Sequence, residues 1–314
     1  ILGLTRSLSL SRRETWIEHL IVHGSLGQTI LLDTIGQATT TLGSVNAIRL
    51  LIQRKGLAMR YLWLCCFFCA PLQSAELRWL DLGEIGGTPL QALYAEGTSA
   101  KAPAVIFNHG TGIRREGYQI GDGGNMDMAG YVTAFSDAGY TTYAPIRRFL
   151  KDEAIKRRRE ISGSAEQWER VVELGVEAVQ RAVRHARQGD AGRKIAIVGF
   201  SEGGLVSLWT GIMHPDVDAL VLMSPAAIRM AERRSLRSAS MEADRLAMPV
   251  MLTLAANDHW PSMKIASSLL IPSLEKAAVP RAIKTTYRGR HATFHEVQAD
   301  HIADVIAFLN QFVR

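Results

Sequence analysis

The sequence predicts an α/β protein, with a mostly parallel sheet of about eight strands covered by helices on both faces. Three observations point there. From Glu76 onward, short apolar, β-branched runs alternate with helix-like segments, the pattern of parallel strands joined by helical crossovers. No internal repeat and no long Pro/Gly/Ser-rich linker divides residues 76–314, so one domain accommodates them. Finally, a buried-looking strand, Lys194–Val198, runs into Gly199-Phe200-Ser201-Glu202-Gly203, and a helical pattern, Leu205–Met213, leaves it.

The elements follow in order. Leu77–Leu82 and Leu90–Tyr94 flank the turn-like Gly86-Gly87-Thr88-Pro89, which predicts an opening antiparallel hairpin. Ala104–Phe107 is a wholly apolar strand leading into Asn108-His109-Gly110-Thr111-Gly112. Met126–Ala138 reads as a helix, ended by Gly139 ahead of the strand Tyr140–Pro145. Ser164–Arg187 is a long amphipathic helix with Val171, Leu174, Val179 and Val183 on its apolar side. After the elbow strand come Leu220–Met223, Val250–Ala255 and Ile283–Tyr287, and a last helix from about Glu296 to Val313.

The Gly-x-Ser-x-Gly turn carries the chemistry. Between a strand and a helix it reads as a sharp elbow that lifts the Ser201 hydroxyl above the sheet at a helix N-terminus, where backbone N–H groups favour negative charge. Side chains two residues before and after the serine would clash, hence Gly199 and Gly203. The plainer alternative is a serine capping an ordinary helix.

The segments Asn108-His109-Gly110-Thr111-Gly112, Gly199-Phe200-Ser201-Glu202-Gly203-Gly204, Asn257-Asp258 and Gly289-Arg290-His291 together resemble the α/β-hydrolases. The likeness is to their dienelactone hydrolase-like and prolyl-oligopeptidase-like branch, and it covers residues 76–314. It implies a nucleophile, acid and base in the order serine, acid, histidine. Dienelactone hydrolases proper use a cysteine at the elbow, so Ser201 points to an esterase-like activity instead. The acid is expected just past a late strand, where Asp258 could orient a histidine. Asp258 could alternatively cap a helix, and Asp244 precedes the strand. The base is assigned to His291, with His295 and then His301 as alternatives. Two amides should hold the oxyanion, those of Glu202 and Thr111. No cofactor is implied. His291 and His295 have the spacing of two zinc ligands on a helix, but no third ligand accompanies them.

Arg147 and Arg148 follow the Tyr140–Pro145 strand on the ligand-binding side of the sheet, where they could recognise an acidic acyl group or carboxylate. Trp260 could wall the pocket or pack in the core, and Lys156-Arg157-Arg158-Arg159 reads as a solvated helix face. His185 and His214 are expected at the surface near helix ends, and His259 has no partner to name.

Composition bounds the rest. All three cysteines, Cys65, Cys66 and Cys69, lie in one apolar block, Tyr61–Leu72, preceded by Met59-Arg60 and followed by Ser74-Ala75. That is the layout of a cleaved signal peptide at residues 59–75, with an uncleaved anchor as the alternative. Cleavage near Ala75 would leave a cysteine-free, secreted or periplasmic domain. Residues 1–58 show no sustained helical or strand period and read as a disordered or untranslated extension. Seven of the 36 Lys/Arg and three of the 30 Asp/Glu fall in residues 1–75, so the surplus of +6 drops to +2 beyond them. Nothing there invites nucleic acid. The expected partner is a small-molecule ester, with no stable membrane insertion after signal cleavage and the oligomeric state open. Competing readings are a peptidase or acyl-aminoacyl hydrolase, and a catalytically silent binding protein of the same fold.

Overall fold

The computed structural model describes residues 3–10, 16–23, 29–36, 76–111, 126–147, 165–227, 233–258 and 264–314, the first three stretches as backbone. The chain divides into two compact units, Ile1–Ala70 and Pro71–Arg314. In the first, β1 (Gly3–Leu10), β2 (Trp16–His23) and β3 (Thr29–Gly36) form an antiparallel sheet in that order. These strands depart from the sequence reading, which found no strand period there. The leader-like block and the three cysteines lie outside the described residues.

The second unit is an eight-stranded, mostly parallel sheet with helices on both faces. Its strands are β4 (Arg78–Ile85), β5 (Thr88–Ala95), β6 (Ala104–Asn108), β7 (Thr141–Pro145), β8 (Ile195–Phe200), β9 (Ala219–Met223), β10 (Val250–Ala255) and β11 (Arg281–Tyr287). They run in the order β11-β10-β9-β8-β6-β7-β5-β4. The β4–β5 and β5–β7 pairs are antiparallel and the rest parallel. The β4–β5 turn has φ of 58° at Gly86 and 81° at Gly87, the two positive values a two-residue turn needs to match strand twist.

Helices α1 (Met128–Asp137), α2 (Ala165–Ala186), α3 (Glu202–Met213), α4 (Leu236–Glu242), α5 (Ile271–Lys276) and α6 (Ala299–Phe312) cover this sheet. Side chains alternate across each central strand. Ile106, Ile197, Leu220 and Leu222 join the core beneath α2 and α3, whereas Phe107, Val198, Val221 and Met223 join the core beneath α1 and α6. Burial on both faces explains why these strands are apolar throughout. On α2 the buried stripe runs through Val172, Val176, Val179 and Val183, and Val171 sits beside it rather than in it. The last helix starts at Ala299, a few residues later than its pattern suggested, because Glu296 and Gln298 are extended; before them His291–His295 forms a separate 3₁₀ turn.

Winding reverses between β6 and β8: β7 lies on one side of β6 and β8 on the other. In open α/β sheets the carboxyl ends of strands flanking such a point leave a crevice between diverging loops. The segments after β6 and β8 are His109–Thr111 and the serine elbow.

One core residue links the fold to pH. His301, at the start of α6, is buried between the Tyr287 and Phe294 rings, with Nε2 3.2 Å from Thr253 Oγ1. Burial first, then the Lys284 charge, pull its pKa down to about 4 against the favourable charge of Asp304. The unfolded chain binds this proton near pH 6.5 and the folded one near pH 4, so stability is full above pH 6.5 and lost as pH falls through that window. The loss from His301 should be about 2 kcal/mol between pH 8 and pH 5. Urea unfolding of the wild type and His301→Met at both pH values measures it as the difference in slope between the two proteins.

Candidate active site

Three strand ends supply the site. At the end of β8 the chain turns through Ser201 at φ 54°, ψ −118° and enters α3 at Glu202. A positive φ at a non-glycine residue costs about 1–3 kcal/mol and persists where surroundings over-determine it. Here Ser201 N–H donates to Met223 O at 2.9 Å, and its carbonyl accepts from Ala226 N at 2.8 Å and Leu205 N at 3.1 Å. A Cβ on Gly203 would fall 2.0 Å from Asn108 O, and one on Gly199 would fall 2.2 Å from Ser207 Oγ. Only glycine passes at either position. Asn108 tightens the elbow further, its Nδ2 donating to Gly203 O at 3.1 Å and Ser207 Oγ at 3.2 Å.

Asp258 follows β10, and His291 opens the 3₁₀ turn after β11. Two backbone bonds keep these loops in register: Ala256 N to Tyr287 O at 2.8 Å and Asn257 N to Gly289 O at 3.0 Å. The Asp258 side chain is 0% exposed and that of His291 15%. His291 Nδ1 lies 2.8 Å from Asp258 Oδ2, and its Nε2 lies 2.9 Å from Ser201 Oγ. An ionised carboxylate only accepts, so Nδ1 carries the proton and Nε2 is left to accept from the Ser201 hydroxyl. The Phe200 ring lies 4.9 Å, centroid to centroid, from that of His291 and 5.4 Å from that of His295.

Of the other histidines, His295 is half-buried, and burial followed by the His291 charge lowers its pKa. Ser201 Oγ meets neither it nor His301. His185 packs against the Tyr143 ring, and both it and His214, which follows α3, are half-buried rather than superficial. Among the described residues, no group of three or more His, Cys, Asp or Glu is arranged to hold a metal ion.

The loop after β6 and the start of α3 also meet. Thr111 Oγ1 donates to Glu202 Oε2 at 2.9 Å, and neither residue's own amide is taken by a backbone carbonyl among the described residues. Arg147 lies just past the carboxyl end of β7. Its side chain is 1% exposed and donates to Glu202 Oε1 at 2.7 Å and to the His109 carbonyl. That packs it against the start of α3 and the loop after β6. Arg148, His259, Trp260 and the Lys156–Arg159 run lie outside the described residues. Sequence reading missed what Asn108, Phe200 and the Glu202 carboxylate do, because nothing in their spacing shows which side chains a β8-β6-β7 strand order brings together.

Solved structures with this fold include a dienelactone hydrolase from Anabaena variabilis, at 15% identity and TM-score 0.55 over 77% of this chain and 100% of that one. An acylaminoacyl peptidase from Pyrococcus horikoshii aligns at 14% identity and TM-score 0.57, over 95% of this chain but 48% of its own. The esterase Pf2001 from Pyrococcus furiosus aligns at 12% identity and TM-score 0.55, over 77% of this chain and 94% of its own. A comparison with curated proteins found no match. The sequence model described as "Dienelactone hydrolase family" matches residues 90–308. Reaching from within β5 through most of α6, that match shows that the chain belongs to the dienelactone hydrolase family and is a serine hydrolase of α/β-hydrolase fold.

Proposed function

We propose that the chain hydrolyses small-molecule carboxylic esters through a Ser201–His291–Asp258 triad and an acyl-enzyme intermediate. The observation that carries this reading is the continuous hydrogen-bonded chain from Asp258 Oδ2 through both His291 nitrogens to Ser201 Oγ, at 2.8 and 2.9 Å. Ser201 Oγ attacks the ester carbonyl while its proton passes to His291 Nε2. The carbonyl oxygen takes the negative charge and is met by the Glu202 and Thr111 amides. His291 then returns the proton to the departing alkoxide, and the C–O bond breaks to leave the acyl group on Ser201. Water, deprotonated by His291, attacks that acyl group, and the proton returns to Ser201 as the carboxylic acid leaves. Asp258 stays ionised throughout, holding the ring's orientation and stabilising the imidazolium. Its proposed compartment is outside the cytoplasm, supported by the leader-like layout of residues 59–75.

Turnover of p-nitrophenyl esters from acetate to octanoate by the full chain tests this reading, with the length profile sizing the acyl pocket. Ester hydrolysis with a burst of p-nitrophenol is the expected result. A folded chain that cleaves acyl-peptide anilides but no ester would make it a peptidase. One that cleaves neither would make it a binding protein.

A further inference from the structure

Arg147, Thr111 and Glu202 come from the ends of three neighbouring strands, β7, β6 and β8, and their side chains form one network. The Arg147 guanidinium spans it, donating through Nη1 to Glu202 Oε1 at 2.7 Å and through Nη2 to the His109 carbonyl. Arg147's backbone N–H donates to His109 Nε2 at 3.0 Å, while His109 Nδ1–H donates to Gly110 O at 2.7 Å. The second Glu202 oxygen accepts from Thr111 Oγ1 at 2.9 Å. Both charges are out of water, with side chains 1% and 8% exposed. Separating them would strand a buried charge, so the spacing of the two loops they join is stiff.

That spacing has a chemical use. Two amides stabilise an oxyanion only when both point at one position, about 2.7–3.1 Å from each, and a shift of about 1 Å can cost a large part of the rate. We propose that Arg147, the Glu202 carboxylate and the Thr111 hydroxyl are a positioning brace that sets the distance between the Thr111 and Glu202 amides. Arg147 therefore serves the oxyanion hole and does not read the acyl group. The proposal rests on the assignment of those amides as oxyanion donors. It assigns the Glu202 and Arg147 side chains a part in the rate without contact to substrate.

The test uses the full chain with Thr111→Val, Thr111→Ser and Arg147→Lys. Thr111 is exposed on its loop, so its variants report on the brace without threatening the core, which loss of Arg147 would. Measured are kcat and KM for p-nitrophenyl butyrate, and Ki for an alkyl trifluoromethyl ketone, whose serine adduct puts an oxygen where the oxyanion forms. Thr111→Val is expected to lower kcat and weaken the ketone about tenfold each, with KM within about twofold, and Thr111→Ser to restore both. Arg147→Lys, with a single donor nitrogen in place of a planar fork, should follow Thr111→Val. Wild-type kcat and ketone affinity in Thr111→Val would overturn the brace. So would a raised KM at unchanged kcat in Arg147→Lys, which is the mark of substrate recognition. A wild type that turns over no ester and takes no fluorophosphonate on Ser201 would instead bring down the underlying catalytic reading, and the brace with it.

Discussion

Ser201→Ala is expected to lower ester kcat by about 10⁴–10⁶-fold, because the nucleophile and the proton its base receives disappear together. Binding of the ester as substrate should change little, so KM should stay within a few-fold. Ser201→Gly should abolish activity equally but raise stability by about 1–2 kcal/mol, since glycine occupies φ 54° without strain. Steady-state kinetics and urea unfolding of both variants check the pair of statements. Stability unchanged in Ser201→Gly would mean the elbow is relaxed. Turnover above about a tenth of wild type in Ser201→Ala would remove Ser201 as nucleophile.

His291→Ala comes second in expected size, with a loss of about 10³–10⁶-fold in kcat, while His295→Ala should cost no more than about tenfold. The contrast follows from geometry. His291 spans from the Asp258 carboxylate to Ser201 Oγ through its two nitrogens, whereas His295 is held against the edge of Phe200. His295 still belongs in the comparison, because the His291 charge acts on it. Removing it perturbs the surroundings of the base without removing the base. If His295→Ala proved as damaging as His291→Ala, the hydrogen-bonded chain would not be the proton path.

Much of this molecule was legible before folding. Each strand buried on both faces announces itself as an apolar run, so Ala104–Phe107, Lys194–Val198 and Val250–Ala255 stand out without any alignment. Gly199 and Gly203 mark the elbow because the close approach of neighbouring atoms leaves no room for a side chain. The three strands within residues 3–36 were not read from the sequence: Trp16–His23 and Thr29–Gly36 keep no alternation, and that of Leu4, Leu8 and Leu10 is short and broken at Arg6. Nor was the 3₁₀ turn at His291–His295, where the spacing of the two histidines is also that of neighbours on a helix face.

The sequence by itself determined the order of the elements, the α/β class and the residue types available for nucleophilic chemistry, because periodicity and glycine placement are properties of neighbours along the chain. Tertiary structure alone decided which histidine faces Ser201 and where Arg147 is spent. Those outcomes depend on a winding reversal that sets β6 between β8 and β7 and on loops closing over it. Asp258 and His291 are 33 residues apart, and Arg147 and Glu202 are 55 apart. No local pattern encodes distances of that kind; only the packed sheet does, by excluding water from the charges it brings together.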